Sequence, residues 1–411
     1  MKPFLTLVTF LFFTCNVVWG AVRTTETIMI GDTTRTFLRY VPDNYNSSNP
    51  VKLLVLLHGF NGTMSYFEEN GYNPGNMADE QNAIIVSLQA LDEKDATVAS
   101  FITTLHNAGF IPFGTNGAWG AGVSSPVNNT IITDPQQWFL VTQLYSTIAS
   151  EGKAVLNKKV DDVNFINQVI SKIKTNYTVD NSKVYMFGFS MGGAMAYKYA
   201  FSSNPQITAM AIESGFIGNE VNTSGDFPIS TCHFHSIDDE IVKFNGTLFN
   251  DSIQNIIDML AAKNNHDAPA ETAISNSAEE DNMTVTTYDY TKSGEPRLLF
   301  YKITGAEHDL AGIKDINIGT EMWRFFNGEP LSNSINETSE NQLTFYPNPA
   351  KENIEVSATG DYAIYNLNGE LLLFGKIEKG NDISVKKLSK GNYIIIVNSD
   401  SENLQSILTI Q

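Results

Sequence analysis

Gly188-Phe189-Ser190-Met191-Gly192 is a G-x-S-x-G pattern, preceded by an apolar run from Val184 to Phe187 and followed by helically spaced Ala194, Tyr197 and Ala200. It therefore reads as strand, tight turn and helix, the context in which such a serine serves as a nucleophile. Small residues at 188 and 192 let the strand and helix pass close on either side of a strained turn, which holds the Ser190 hydroxyl up into open space. The amide of Met191 opens the helix and points where a tetrahedral oxyanion would form, and the helix dipole favours negative charge there. The chemistry implied is attack on a carbonyl carbon.

Such a serine needs a general base, and the base needs an orienting carboxylate. With the order Ser, acid, His along the chain, His233, His235, His266 and His308 are the available histidines. His233 lies inside an apolar run, His235 precedes the best carboxylates, and His266 sits in a polar stretch where solvation is expected. His308, in ITGAEHDLAG, follows a strand end at the carboxyl edge of the sheet, where ligands gather in open α/β folds. It is the candidate base. The acid comes from HFHSIDDEIVKFNG, with Asp239 first and Asp238 as the alternative that spacing alone does not separate.

Elements able to position these groups are legible around them. Thr25 to Val41 alternates polar and apolar residues about Gly31-Asp32, a hairpin signature. Leu53 to Leu57 and AIIVSLQA are continuous apolar runs, as in strands buried on both faces, and the first ends at His58-Gly59-Phe60-Asn61-Gly62. Helices are expected at Met77 to Gln81, Asp161 to Tyr177 (apolar face Val163, Ile166, Val169, Ile170, Ile173), Ser252 to Lys263 and Glu321 to Asn327. Further strands are expected at Ile207 to Ile212, Ile229 to Phe234 and Leu298 to Ile303, with an acidic flexible insert at Ala268 to Met283. Residues 92 to 139 read as a long irregular loop whose Phe110, Phe113, Trp119 and Trp138 suggest an aromatic rim over the active face. The fold class is α/β, a mostly parallel sheet flanked by helices.

The chain is 411 residues long and opens with Lys2 and an apolar stretch, Phe4 to Phe13, running to small residues at Gly20 and Ala21. Residues 1–20 read as a secretory signal peptide, the apolar core being too short to span a bilayer. Of the two cysteines Cys15 leaves with it, so Cys232 is expected as a lone buried thiol. The net charge is −19, or −20 once Lys2 is removed, which argues against nucleic acid or an anionic membrane as partner. The α/β domain is placed at 22–328, a polar linker at 329–341, and a region of short alternating runs at 342–411, the pattern of a small β-sandwich.

GFSMGG, HSIDDEIV and GAEHDLAG, with LLHGF and DDVNFINQVI upstream, resemble the secreted polyhydroxybutyrate depolymerase and feruloyl esterase family of α/β-hydrolases over roughly residues 30 to 328. The resemblance implies that Asp239 is the acid and His308 the base. It implies a second oxyanion donor at the amide of Phe60 or Asn61, beside Met191, and structural roles for His58 and His235. Trp119 and Leu310 are the expected substrate-lining positions, Leu310 standing where the family carries a tryptophan after the base. Ser236 and Lys243 also depart from the family pattern, replacing a usual Gly and Pro.

The tail, with YPNPA, IYNLNGE and LSKGNYIIIV, resembles the C-terminal sorting domain of the type IX secretion system, so residues 342–411 are expected to engage that machinery. The combined expectation is an exported serine esterase needing no metal or cofactor and acting on a polymeric or oligomeric ester. Feruloyl or acetyl esters of plant polysaccharide come first and hydroxyalkanoate polyester second. A non-catalytic carbohydrate-binding module is the reading from another class.

Overall fold

Successive side chains of a strand point to opposite faces, and in the run after Val51 this alternation separates two cores. Leu53, Val55 and Leu57 pack into one and Leu54 and Leu56 into the other. Each fully buried aliphatic side chain contributes about 1.5–3 kcal/mol, which is why the run carries no polar face. The computed structural model describes residues 21–107, 116–127, 133–247, 250–274, 283–290, 292–310, 316–329, 345–366, 371–398 and 403–410. The signal segment 1–20 and nearly all of the linker 329–341 lie outside the described residues.

In chain order, β1 (Val22–Ile30) and β2 (Thr33–Val41) form the expected antiparallel hairpin about Gly31. Next come β3 (Val51–Leu57), α1 (Tyr66–Glu69), α2 (Pro74–Gln81) and β4 (Ala83–Leu88). A peripheral segment holds α3 (Ala96–Asn107), β5 (Ser124–Pro126), α4 (Pro135–Leu144), α5 (Ser146–Glu151) and β6 (Lys153–Val155). The main sheet resumes with α6 (Asp162–Asn176), β7 (Val179–Phe189), α7 (Met191–Ala200), β8 (Ala209–Glu213) and β9 (Ser230–Ser236). It closes with α8 (Ile253–Lys263), β10 (Ala270–Ile274), β11 (Thr284–Asp289), β12 (Leu298–Thr304) and α9 (Ile318–Phe326).

The strand order is β1-β2-β4-β3-β7-β8-β9-β12-β11-β10. The ladders from β4 through β12 are parallel, and antiparallel ribbons close both edges. Parallel alignment puts the carboxyl ends of β3, β7, β8, β9 and β12 on one edge, where Ser190, Asp239 and His308 lie. Helix α6 starts at its N-cap Asp161, whose side chain accepts from Asn164 N–H at 3.0 Å. It buries Phe165, Ile166, Val169, Ile170 and Ile173, Phe165 taking the place expected of Val163, which is only half-buried.

Two expectations are corrected. Residues 92 to 139 are not one irregular loop, since α3 and the start of α4 fall inside them. In α3, Phe101, Ile102 and Leu105 form a buried stripe, obscured in the sequence by the surrounding Thr and Ser. The insert 268–283 is not wholly irregular either, because Ala270–Ile274 extends the sheet by pairing with β11. Its remainder, 275–282, lies outside the described residues, as do Phe110, Phe113 and the Trp138 side chain.

The chain divides into two units, Met1–Leu331 and Ser332–Gln411. The second holds β13 (Phe345–Tyr346), β14 (Asn353–Val356), β15 (Gly360–Asn366), β16 (Leu371–Ile377), β17 (Asp382–Ser384), β18 (Gly391–Asn398) and β19 (Asn403–Ile410). A three-stranded sheet, β13-β14-β17, and a four-stranded sheet, β16-β15-β18-β19, share a core including Ile354, Val356, Ile364, Ile395, Val397 and Leu408. This is the small antiparallel sandwich expected. Among the described residues no helix is long and apolar enough to cross a membrane.

Candidate active site

Strand β7 hands over to α7 at Ser190, whose backbone sits at φ 52° and ψ −117°. Holding a non-glycine residue there costs on the order of 1–3 kcal/mol and persists only when the surroundings over-determine it. The surroundings do so. Ser190 N–H donates to Glu213 C=O at 2.8 Å, and a Cβ on Gly192 would stand 2.0 Å from Leu57 O and 2.6 Å from His58 O. A Cβ on Gly188 would meet Gly192 O at 2.4 Å. Backbone atoms cannot swing aside, so Gly192→Ala is expected to cost about 3 kcal/mol, read as a lowered urea midpoint. An unchanged midpoint would contradict the close approach.

His308 lies five residues beyond Ile303, the last β12 residue paired with β9, on the loop after Thr304. Its Nε2 is 2.9 Å from Ser190 Oγ and its Nδ1 is 2.7 Å from Asp239 Oδ2. A carboxylate facing Nδ1 places the ring proton there and leaves the Nε2 lone pair toward the serine hydroxyl, which donates to it. Asp239 is buried, and its Oδ1 accepts the N–H groups of Ile241 and Val242, each at 2.8 Å. The neighbouring Asp238 is exposed and turned away, its Oδ2 accepting from Gly305 N–H at 2.7 Å. The structure thus brings Asp239, and not Asp238, to His308.

Behind Asp239 runs a buried chain of hydrogen bonds. His235 Nε2–H donates to Val242 C=O at 2.8 Å with Asp239 Oδ2 3.5 Å away, which leaves His235 Nδ1 to accept from His233 Nε2–H at 3.3 Å. His233 Nδ1 then accepts from the Tyr197 hydroxyl at 2.7 Å. Burial pushes His235 down to about 4 and His233 well below the usual histidine range, so both imidazoles are neutral at pH 7. His266, expected in solvent, is half-buried, and its Nε2–H donates to Pro296 C=O at 2.8 Å.

The turn after β3 runs against the serine, since a Cβ on Gly59 would lie 3.3 Å from Ser190 Cβ and 2.8 Å from the Phe189 ring. His58 shapes it. Its Nε2 accepts Ala90 N–H at 3.1 Å, so Nδ1–H donates to Gly59 C=O at 2.7 Å, and burial lowers its pKa to about 4. Asn61 follows at φ 57°. Met191 is the first residue of α7, so its N–H has no acceptor within the helix.

Trp119 and Leu310 do not line an open cleft as expected. Trp119 is fully buried, its indole N–H donating to His58 C=O at 2.8 Å, so it buttresses the turn from behind. Leu310 is 1% exposed and packs into the core on the α9 side of the sheet. The aromatic surface at the site comes instead from Tyr66, stacked on Phe189 at 5.1 Å between ring centroids, with Phe189 5.3 Å from the His308 ring. Cys232 is a buried free thiol, as expected. Among the described residues no group of three or more His, Cys, Asp or Glu could hold a metal ion.

Residues 120–276 match the phospholipase/carboxylesterase family model, and residues 344–411 match the secretion system C-terminal sorting domain. The chain joins an α/β-hydrolase domain to a type IX sorting domain. The chain is 35% identical to a probable feruloyl esterase C of Aspergillus clavatus over 101 residues, 24% of this chain and 37% of that one. It is 21% identical to feruloyl esterase D of Neurospora crassa over 191 residues, 46% of this chain and 49% of that one. The chain thus spans between about a third and a half of the length of these curated relatives. An acetyl xylan esterase from Aspergillus awamori aligns with 74% of this chain and 99% of its own at 16% identity, with a TM-score of 0.44.

Sequence reasoning passed over Glu213, which closes β8 beside the serine of this hydrolase domain, and Ser214, which follows it. The strand was expected to end at Ile212. The available signal was AIESG, an acid closing a buried run immediately before Ser-Gly.

Proposed function

We propose that this chain is an exported serine carboxylic-ester hydrolase acting through an acyl-enzyme, with feruloyl or acetyl esters of plant polysaccharide as substrate. The observation that carries it is the continuous line Asp239 Oδ2, His308 Nδ1, His308 Nε2, Ser190 Oγ, with spacings of 2.7 and 2.9 Å, at a strained strand-to-helix turn. In that line the Ser190 proton passes to His308 Nε2 as Oγ bonds to the ester carbonyl carbon and the carbonyl π pair moves onto oxygen. The amides of Met191 and of Phe60 or Asn61 are the donors for this oxyanion. The imidazolium, held by Asp239, gives its proton to the departing alkoxide as the C–O bond breaks. Water then repeats the sequence on the acyl-enzyme, losing its proton to His308 and releasing the acid and Ser190.

The substrate class rests on the feruloyl esterases among its relatives, and the sorting domain supports an extracellular or cell-surface site of action reached through the periplasm. The test is to incubate the purified protein with methyl ferulate, acetylated xylan and 3-hydroxybutyrate oligomers, and separately with a fluorophosphonate probe. Ferulate or acetate release, together with labelling of Ser190, is the expected result. Release of 3-hydroxybutyrate alone would reassign the substrate to a polyester, and absence of labelling would reject the serine mechanism.

A further inference from the structure

The acyl-transfer steps leave one carboxyl group beside the site unused. Glu213 closes β8 and is 1% exposed. Its backbone C=O accepts Ser190 N–H at 2.8 Å, its Oε1 accepts Leu310 N–H at 3.2 Å, and its Oε2 is hydrogen-bonded to the Tyr72 hydroxyl. Ser214 follows at φ 49°, its N–H donating to Phe234 C=O at 2.9 Å and its Oγ–H to His308 C=O at 2.6 Å. One dipeptide therefore grips the nucleophile turn through backbone and the base loop through side chains.

The loop that carries His308 has left the β12 ladder at Thr304, and side chains take over from the ladder. Asp238 accepts from Gly305 N–H at 2.7 Å and Ser236 Oγ–H donates to Ala306 C=O at 2.5 Å. Ser214 and Glu213 then hold His308 C=O and Leu310 N–H, before and after the imidazole. We propose that Glu213 and Ser214 are positioning residues that keep His308 in register with Ser190, the Glu213 carboxyl acting through Leu310 N–H and anchored by Tyr72. The inference rests on the ester-hydrolase reading above.

The site also constrains the charge of this carboxyl. Burial, with the neighbouring Asp309 adding to it, pushes Glu213 up to about 8 against the opposing hydrogen bonds from Tyr72 and Leu310, so it is protonated at neutral pH. The titratable groups facing it are Tyr72 and Tyr66 from the segment around α1 and Asp309 from the base loop, which also brings Leu310 N–H. Above about pH 8 an anion would form among these phenols and Asp309, with no cation supplied by any of them. The folded state keeps a proton that the unfolded chain releases above its ordinary 4.5, so stability falls as pH rises from there to about 8.

The experiment measures kcat and KM for p-nitrophenyl acetate from pH 5 to 10, with fluorophosphonate labelling, in the full chain and in Glu213→Ala, Glu213→Gln and Ser214→Ala. Glu213→Ala is expected to lower kcat on the order of a hundredfold with KM nearly unchanged, as a misplaced base does. Glu213→Gln, which can still accept from Leu310 N–H and bond Tyr72, should restore most of kcat at pH 7. It should also abolish a bend near pH 8 in the wild-type profile and flatten the fall of melting temperature with pH. Ser214→Ala should lose about tenfold in kcat. A folded Glu213→Ala with unchanged kcat overturns the inference, as does a Gln variant no better than Ala. If Glu213→Ala does not fold, the Gln and Ser214→Ala results decide in the same way. A wild type that neither hydrolyses the ester nor takes the label overturns the ester-hydrolase reading and this inference with it.

Discussion

Ser190→Ala is expected to lower turnover at least about a thousandfold, His308→Ala by a similar factor, and the double variant little more than either. The near-identity of the three losses is the informative part. With His308 Nε2 2.9 Å from Ser190 Oγ, the imidazole has one task in the first step, to take that proton, and it has no such task once the hydroxyl is gone. Independent contributions would instead multiply. Asp239→Asn should also lose several orders of magnitude, because an amide N–H directed at His308 Nδ1 would favour the tautomer whose Nε2 carries the proton and cannot accept one. Substrate binding draws on other groups, so KM should move little in all four proteins. Steady-state kinetics on p-nitrophenyl acetate check this. A double variant much slower than either single one would mean that Ser190 and His308 do not act as a unit.

Much of this site could be read in the sequence because its parts are local. The spacing in GFSMGG dictates a turn that only small flanking residues permit, and the contacts a Cβ would make at Gly188 and Gly192 give the physical reason. The choice between Asp238 and Asp239 was different. Both close the same strand, and what separates them is which carboxylate the loop from β12 happens to face, a contact across 69 residues of chain. Glu213 escaped for the same reason. It lies one residue past the apolar run Ile207 to Ile212, and its meaning lies in Leu310 and Tyr72, 97 and 141 residues away.

Aromatic content misled where burial decided. Trp119 looked like a rim residue because its neighbours are polar and glycine-rich. In the fold those glycines let the chain pass close to the His58 turn and to the segment before α6: a Cβ on Gly117 would lie 2.7 Å from Gly62 O, and one on Gly120 2.9 Å from both Asn157 O and Val160 O. Helix α3 was hidden by Thr and Ser, whose low helical preference is overridden by packing of Phe101, Ile102 and Leu105. The central parallel strands, by contrast, were plain in unbroken apolar runs, since nothing but a sheet covered on both faces accommodates them at that length.

The packing beneath Trp119 also carries the largest expected effect on stability. Arg35 from β2 and Asp162 from the first turn of α6 form an ion pair at 2.7 Å with side chains 1% and 0% exposed. Asp162 Oδ2 also accepts Gly120 N–H at 2.6 Å, while Arg35 donates to Gln89 C=O at 3.1 Å and lies 3.9 Å over the Phe165 ring. Asp162→Ala would leave a guanidinium in the core without its partner, a change that costs about 3–5 kcal/mol and should show as a lowered urea midpoint. The double variant Arg35→Met, Asp162→Leu removes both charges at similar volume and should recover most of that loss, since the pair repays little beyond its own desolvation. It should not recover the Gly120 contact. Because Gly120 adjoins Trp119, which holds the His58 carbonyl, and Gly59 lies against Ser190, the stable double variant is expected to hydrolyse p-nitrophenyl acetate more slowly than the wild type. A double variant no more stable than Asp162→Ala would show that the ion pair itself, rather than the avoidance of a lone buried charge, is what the core requires.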